Sequence, residues 1–353
     1  MTDENILSIL RYANSIGASD IHFSEDKNIV FRVYGKLQPL EKAGTLTRQD
    51  MRNILSFVFK KDEKIILDFY KSKDYDFAFV SQDGVPFRCN AFYRLGRLSL
   101  VMRLILSEAS TMEELKLPQS AKKFTKAKQG LILITGPTGS GKSTTMVSIL
   151  DEINKQRGEH IITIEDPIEF IFKDKKSVFS QREVGTDTSS FAKALKASMR
   201  EDPDIIMVGE IRDKDTVEAA MELAETGHLV FSTLHTSGSV STITRLLSFF
   251  PPDMQNSVRE KLSESLFGVL SQRLIPTPDR KGRVGIFEIM MMTPGIRSLV
   301  REGKLVQINS NIETGKRDGM ILMKEYADEQ AQQGFINTED YINYFKDDME
   351  NNK

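Results

Sequence analysis

The chain has 353 residues, 40% of them hydrophobic and 28% charged, with a formal net charge of −2. This length exceeds that of one typical compact core, so we expect two domains in an ordinary globular protein. The near-neutral balance excludes an overall basic field, and we therefore expect no nucleic-acid partner.

The cysteine count and the N-terminus indicate the cellular compartment. Cys89 is the only cysteine, which excludes an internal disulfide and a four-cysteine zinc site. The first ten residues carry acid where a signal peptide would carry base. Purely apolar runs, such as residues 131–134, are far too short to span a membrane. We therefore expect a cytoplasmic protein without a transmembrane segment, which reaches any membrane through a partner.

Residues 1–106 are predicted to form a small α+β domain. Apolar residues at helical spacing predict a helix over residues 4–16. Thr47 is the predicted N-cap of a second helix, with Asp50 in its first turn. Alternating apolar and polar residues predict short antiparallel strands, with a turn at residues 82–84. The second helix covers residues 47–59, and the strands cover residues 20–23, 29–34, 77–80 and 88–93.

Residues 107–120 are polar, contain a proline and lack a strand pattern, so they are predicted to be a linker. In residues 121–353 apolar strands alternate with helices, which favours a parallel sheet covered by helices on both faces. From about residue 293 the chain is predicted to be mostly helical, with Thr293 and Pro294 as N-cap and first residue of a helix. The predicted strands cover residues 131–135, 161–164, 205–208 and 229–233.

Residues 136–143, with the sequence GPTGSGKS, match the phosphate-binding loop pattern G-x-x-x-x-G-K-[ST]. Its glycines let backbone N–H groups turn inward around phosphate oxygens. Lys142 supplies a positive charge to the β- and γ-phosphates, the Ser143 hydroxyl can bind Mg²⁺, and the following helix directs its N-terminus at the anion. The pattern therefore predicts a site for ATP and Mg²⁺. The predicted nucleotide-binding residues are Gly136, Pro137, Thr138, Gly139, Ser140, Gly141, Lys142, Ser143 and Thr144.

Acidic residues follow two of the later strands: Glu165 comes directly after one, and Glu210 comes two residues after the next. Ligands of open α/β sheets gather at the carboxyl ends of the strands, and ATP hydrolysis needs Mg²⁺ and a carboxylate that positions the attacking water. Gly209 stands where an aspartate usually holds the metal, so one of the two glutamates must serve the metal instead. We predict Mg²⁺ ligands among Ser143, Glu165 and Glu210, with Glu210 the first choice as base.

Two of the four histidines bracket one predicted strand, His228 before it and His235 after it. A strand of this length would separate them by ~23 Å, and their odd spacing would direct their side chains to opposite faces. His235, at the carboxyl end, is therefore predicted to contact the γ-phosphate. The pattern leaves open whether His228 has a functional role or a packing role.

Together these segments resemble the ATPases of type IV pili and secretion systems, and specifically the pilus retraction ATPases (the PilT family). The resemblance covers nearly the whole chain. The matching segments are residues 17–22 (GASDIH), 32–35 (RVYG), 136–143, 163–170 (TIEDPIEF), 181–185 (QREVG), 202–213 (DPDIIMVGEIRD) and 226–236 (TGHLVFSTLHT).

The resemblance implies a PAS-like N-terminal domain joined to a RecA-like ATPase domain, assembled as a homohexamer with nucleotide between the two domains. It also implies that Arg88 and Arg103 of the N-terminal domain approach the phosphates, where a guanidinium stabilises transition-state charge. Glycine at position 209 is the family's own pattern, so it does not argue against hydrolysis. The roles of Arg94 and Arg97 stay open, because this segment lacks the glycine-rich turn expected from the family.

Within the family, retraction is favoured over extension or secretion because the chain lacks a long additional N-terminal domain and a four-cysteine zinc motif. Residues 293–302 are similar to the retraction signature AIRNLIRE, with Gly295 and Ser298 as departures. These departures leave open whether the chain is the main retraction motor or an accessory paralogue. The implied partners are an inner-membrane pilus platform protein and an extension ATPase or retraction paralogue, and the implied place is the cytoplasmic side of the inner membrane.

Three alternatives stay open at this point: a type II or type IV secretion ATPase, a nucleic-acid translocase with the same RecA-like core, and an inactive ring subunit. The missing cysteines count against type II secretion. Near-neutral charge without an evident basic stripe counts against a translocase. The intact phosphate-binding loop and both glutamates count against an inactive subunit.

Overall fold

The computed structural model describes residues 1–33, 35–105 and 108–343, apart from the side chain of Lys42. The chain divides into two compact units, Met1–Ser107 and Glu108–Lys353, each with its own sheet and its own hydrophobic core. Among the described residues, no helix combines the length and the apolar character needed to cross a membrane. Parts of three predicted segments lie outside the described residues. These parts are Tyr34, residues 106–107 and residues 344–353.

The described part of the first unit combines helices with an antiparallel sheet. Its helices are α1 (Asp3–Ser15), α2 (Arg48–Val58) and α3 (Glu63–Ser72). Its strands are β1 (Ala18–Ser24), β2 (Val30–Val33), β3 (Lys36–Pro39), β4 (Asp74–Val80), β5 (Pro86–Arg94) and β6 (Arg97–Leu104). These strands lie in the order β3-β2-β1-β6-β5-β4, and every neighbouring pair is antiparallel.

The helices predicted for the first unit are confirmed, as is the turn between β4 and β5. Helix α1 buries Ile6, Leu10 and Ala13 on one face. Thr47 and Asp50 form a reciprocal capping box at the start of α2, which satisfies two backbone N–H groups. The sequence analysis did not predict α3, β3 or β6. Strand β3, for example, exposes all of its residues, so it lacks the alternation that indicates a half-buried strand.

The described part of the second unit is a sheet covered by helices. Its strands are β7 (Gly130–Thr135), β8 (His160–Glu165), β9 (Val178–Glu183), β10 (Ile205–Val208), β11 (Leu229–Leu234), β12 (Leu266–Pro276) and β13 (Arg283–Met291). Its helices are α4 (Lys122–Lys126), α5 (Lys142–Gln156), α6 (Phe191–Ser198), α7 (Lys214–Glu225), α8 (Ser239–Ser248), α9 (Gln255–Ser265), α10 (Pro294–Glu302), α11 (Ile308–Thr314) and α12 (Met323–Gln332).

Parallel strands form the centre of this sheet, in the order β13-β12-β7-β11-β10-β8-β9. Strands β7, β10 and β11 are buried at every residue, as expected for strands covered on both faces. The predicted strands β7, β8, β10 and β11 are confirmed. The sheet is not parallel throughout, because β13 runs antiparallel to β12. Strand β12 escaped prediction because Ser271, Gln272 and Arg273 interrupt its apolar pattern.

Residues 108–120, most of the predicted linker, pack on the second unit. Met112 and Leu117 are buried in the core of that unit. The Tyr326 hydroxyl donates a hydrogen bond to the Lys116 carbonyl oxygen. This segment is therefore held against α12 rather than free.

The sheet order brings the carboxyl ends of four strands together. The end of β7 lies beside the end of β11, and the ends of β10 and β8 follow. In register, Thr135 is paired with Leu234, and Val208 with both Ser232 and Ile164. Side chains that follow these strands therefore meet at one edge of the sheet, where ligands of open α/β sheets bind.

Gly268→Ala is expected to destabilise the second unit. A Cβ atom at this position would lie 2.8 Å from the Met290 carbonyl oxygen and 2.9 Å from a ring carbon of Phe124. Overpacking of this kind costs about 1–3 kcal/mol of unfolding free energy, which equilibrium urea denaturation measures. Gly282→Ala is the matched control, because its Cβ would have no contact closer than 3.7 Å. Equal stability of the two variants would contradict the packing argument.

Candidate active site

The predicted phosphate-binding loop connects β7 to α5, and its glycines have backbone angles that other residues rarely adopt. Gly136, Gly139 and Gly141 have φ angles of 151°, 75° and 85°. A Cβ atom at Gly136 would also lie 2.3 Å from the Gln272 carbonyl oxygen. The loop therefore passes this close to β12 only because its first residue is glycine.

Lys142 lies in the first turn of α5 and is only 8% exposed. Its Nζ donates hydrogen bonds of 3.0 Å to the carbonyl oxygens of Gly136 and Pro137, so the ammonium is held against the loop. Burial lowers the pKa of Lys142 below its ordinary value, while the charges of Glu210 and Glu169 oppose this effect. A buried cation in the first turn of a helix is a site for an anion, because the N-terminus of the helix also favours negative charge.

A pocket opens at the carboxyl ends of β7, β11, β10 and β8. It brings the phosphate-binding loop together with both predicted glutamates and with the predicted histidine. Its polar lining includes Thr138, Lys142, Ser143, Glu165, Asp166, Glu169, Glu210, Thr233 and His235, and its apolar lining includes Val147, Phe170, Phe191 and Met207. Residues far apart in the sequence thus share one cavity, and Glu165, Glu210 and His235 are among them.

Glu210 is held between two side chains. Its Oε1 forms an ion pair with Arg212, and its Oε2 lies 3.3 Å from Nε2 of His235. Nδ1 of His235 lies 3.4 Å from the Thr138 hydroxyl in the phosphate-binding loop. A carboxylate only accepts hydrogen bonds, so Nε2 of His235 is the donor to Glu210. His235 thereby connects Glu210 to the loop.

Glu165 has a different environment, because it is 6% exposed at the end of β8. Its Oε1 accepts hydrogen bonds from the Thr163 hydroxyl at 2.7 Å and from Nε2 of Gln181 at 3.3 Å. Burial raises the pKa of Glu165 above its ordinary value, although these two donors oppose the rise. Burial therefore makes Glu165 a stronger proton acceptor than an exposed glutamate.

Gly209 marks a close approach of β10 to β8. Its N–H donates a hydrogen bond of 2.8 Å to the Ile164 carbonyl oxygen. A Cβ atom at Gly209 would lie 3.5 Å from the Cα of Glu165 and 3.8 Å from the Phe191 ring. These are ordinary van der Waals distances. The first acidic side chain after β10 is that of Glu210.

The structure separates His228 from the pocket, as the spacing of the two histidines predicts. His228 lies at the amino end of β11, where its Nδ1 is 3.1 Å from the Leu223 carbonyl oxygen and 3.2 Å from the Thr226 hydroxyl.

In the first unit, Arg97 forms an ion pair of 3.1 Å with Asp26, which is a local structural contact. Arg94 is paired with Arg97 across the turn between β5 and β6.

Arg88 and Arg103, the arginines predicted to approach the phosphates, lie in the first unit. They face each other across β5 and β6, so their side chains share one face of that sheet, and both are exposed. Nε of Arg103 donates a hydrogen bond of 2.8 Å to Asp20, which also lies 3.8 Å from Arg32. Asp20 thus orients the Arg103 guanidinium. The contribution of both arginines to hydrolysis stays a prediction.

Two residues that were not predicted support the site. Nε2 of Gln272 on β12 donates a hydrogen bond of 2.6 Å to the Ser140 carbonyl oxygen of the loop. Arg212 pairs with Glu210 and with Asp166. Arg212 lies within residues 202–213, a segment that resembles the family, so the sequence could have drawn attention to it. Gln272 has no local signal, because only the pairing of β12 with β7 brings it to the loop.

A phosphate-binding loop at the edge of a parallel sheet is how P-loop nucleoside triphosphatases hold their nucleotide, and the fold and pocket put this protein in that class. Comparison with known proteins then gives the particular family. The model of the family described as "Type II/IV secretion system protein" matches residues 3–343, and the chain belongs to this family.

Several relatives carry names from pilus biology. The type IV pilus retraction ATPase PilT of Pseudomonas aeruginosa is 43% identical over 316 residues, which are 90% of this chain and 91% of the relative. The twitching motility protein of Neisseria gonorrhoeae is 41% identical over 307 residues, 87% of this chain and 81% of the relative. A crystal structure of the pilus retraction motor PilT with bound ADP matches with a TM-score of 0.87 and 43% identity, over 95% of both chains. These similarities confirm the predicted fold class and the resemblance to pilus retraction ATPases.

Glu165→Gln is expected to stabilise the protein at neutral pH. Because burial raises the pKa of Glu165 in the folded state, the unfolded chain releases this proton first as the pH rises. The free energy of unfolding therefore falls as the pH rises from the pKa of Glu165 in the unfolded chain to its higher pKa in the folded protein. At pH values above both, the buried carboxylate is ionised and the loss remains. Glutamine stays neutral at every pH. The melting temperature of the Glu165→Gln protein should therefore exceed that of wild type at pH 7 and approach it towards pH 4.

Thermal melting at several pH values measures this difference. Glu218→Gln on α7 is the control, because the Glu218 side chain is 45% exposed, and its difference from wild type should not follow the same pH course. A Glu165→Gln melting temperature below that of wild type at pH 7 would contradict the burial argument.

Proposed function

We propose that this protein is an ATP-hydrolysing motor that powers the retraction of type IV pili, and with it twitching motility. The observation that carries the proposal is the pocket in which the phosphate-binding loop, Glu165, Glu210 and His235 meet. The similarity to PilT over almost the full length of both chains supports the assignment of that chemistry to pilus retraction.

The proposed substrate is ATP accompanied by Mg²⁺. The Ser143 hydroxyl and the carboxylates of Glu165 and Glu210 are hard oxygen donors, the type of ligand that Mg²⁺ prefers. The described residues contain no cluster of three or more His, Cys, Asp or Glu side chains able to hold a metal by themselves. This donor set fits a cation that takes few protein ligands and completes its shell with phosphate oxygens and water. When bound, the cation would neutralise charge on the phosphates.

The pocket residues have distinct proposed roles. Lys142 binds the β- and γ-phosphates, and Ser143 binds the metal. Glu210 and Glu165 would share the holding of the metal and the activation of the attacking water, with Glu210 the first choice as base. His235 senses the γ-phosphate through its contacts with Thr138 and Glu210. The support for these roles is the pocket that the residues share and the hydrogen-bond partners of each.

The proposed working form is a homohexamer in the cytoplasm at the inner membrane. Arg88 and Arg103 would complete a nucleotide site, and hydrolysis would change the arrangement of the domains around the ring. The ring would act on an inner-membrane platform protein of the pilus, alongside an extension ATPase or a retraction paralogue. The support for these assignments is the similarity to pilus retraction ATPases.

Lys142→Ala is expected to reduce ATP hydrolysis by about 10²-fold or more, because it removes the cation that the loop holds for the phosphates. Release of inorganic phosphate by the purified full-length protein measures the loss. Lys196→Ala, an exposed lysine of α6, is the control and should keep wild-type activity. Normal hydrolysis by the Lys142→Ala protein would refute the catalytic part of the proposal.

Deletion of the gene in its host is expected to leave cells with excess surface pili and without twitching motility, because pili would be extended and not withdrawn. Electron microscopy of surface pili and a twitching assay measure the two effects. Complementation with the wild-type gene should restore both, and complementation with Lys142→Ala should restore neither. Cells without pili would indicate an extension motor, and unchanged pili would refute a role in the pilus cycle.

A further inference from the structure

Arg212 lies beside the pocket, and the backbone on both sides of it is fixed. It follows β10 in the loop that leads into α7. Ile211 is 4% exposed, and its N–H donates a hydrogen bond of 3.1 Å to the Thr233 carbonyl oxygen. Asp213 caps α7 by accepting a hydrogen bond of 2.8 Å from the Thr216 N–H. The loop therefore delivers the Arg212 guanidinium to a defined position.

The Arg212 guanidinium bridges two carboxylates from different strand ends. Its Nη1 lies 3.1 Å from Oδ2 of Asp166, and its Nη2 forms the ion pair with Oε1 of Glu210. Asp166 directly follows Glu165, so this bridge connects the acidic segment after β8 to the end of β10. A guanidinium presents its N–H groups in fixed directions and can orient two carboxylates at once, which an ammonium does poorly.

With Arg212 at one oxygen and His235 at the other, the Glu210 carboxylate is restrained on both sides. The terminal torsion of a glutamate is otherwise broad, so a single contact would leave the carboxylate free to turn. The Arg212 side chain is 55% exposed, so its ion pairs add little to the stability of the fold. Its effect is on the direction in which Glu210 presents its oxygens.

We propose that Arg212 is a positioning residue for ATP hydrolysis, which fixes the Glu210 carboxylate in the orientation in which it acts on the attacking water. The inference rests on the proposed function, because it requires a reaction in which Glu210 takes part. Arg212 acts through Glu210 and Asp166. Its loss therefore changes the chemical step more than the affinity for ATP, since misplacement of a reacting group slows catalysis without removing a binding contact.

Steady-state ATP hydrolysis by the full-length protein tests this role. Arg212→Ala is expected to lower kcat at least 10-fold, about 1.4 kcal/mol in the barrier, and to leave the KM for ATP within about twofold. Arg212→Lys should recover part of kcat, because lysine restores the positive charge but not the fixed directions of the guanidinium N–H groups. Arg11→Ala is the matched control: Arg11 is 58% exposed and pairs with Asp83 in the first unit, so this variant should keep wild-type kcat.

A double variant separates positioning from a merely structural effect. If Arg212 acts through Glu210, Glu210→Gln combined with Arg212→Ala has the same kcat as Glu210→Gln alone. The role of Arg212 would be overturned if the double variant lost kcat by the product of the two single losses. An unchanged or raised kcat in Arg212→Ala would also overturn it. So would equal losses of kcat in Arg212→Ala and Arg212→Lys, if the melting temperatures of both variants were lowered. These outcomes leave ATP hydrolysis by wild type intact. Absence of hydrolysis by wild type would refute the proposed function and this role with it.

Discussion

The parallel pairing of β7, β11, β10 and β8 is the constraint on which the rest of the site depends. Parallel strands end at the same edge of a sheet, so segments far apart in the chain deliver their next residues to one place. The central strands are buried at every residue, and a shift of one residue in register would exchange the two faces of a strand. The apolar core therefore fixes the polar pocket, because Glu165, Glu210 and His235 have no freedom beyond their own side-chain torsions and short loops.

The two glutamates at this edge have unequal environments, which favours unequal roles. Burial raises the pKa of Glu165, whereas Glu210 is only partly buried and is restrained by Arg212 and His235. The raised pKa makes Glu165 a candidate proton acceptor. Orientation favours Glu210, because both of its oxygens have partners and one partner, His235, contacts the predicted phosphate-binding loop. The proposal of Glu210 as base thus rests on the restraint of its carboxylate.

Local chemistry explains which features the sequence could predict. The phosphate-binding loop, the N-cap Thr47 with Asp50 in the first turn, and the four central strands depend on residues that are close in the chain, so their patterns are visible without a structure. Strand β12 and the contact of Gln272 with the loop depend on sheet pairing between segments far apart, which no local pattern encodes. The bridge from Arg212 to Asp166 and Glu210 could be predicted only in part. Its segment was visible as a motif, but its two partners were defined only once β8 and β10 were known to be neighbours.

The charge balance of the pocket indicates why nucleotide and metal should bind together. Glu165, Asp166, Glu169 and Glu210 line the pocket with Lys142 as the cation held by the loop, and the charge of Arg212 is already shared between Asp166 and Glu210. A triphosphate alone would bring more negative charge to these carboxylates. The proposed divalent cation would offset that charge, so we expect each ligand to raise the affinity for the other. Charge that develops later, in the transition state, needs a further cation. In the proposed homohexamer, Arg88 and Arg103 are the candidates to supply it, which would make hydrolysis depend on the assembly.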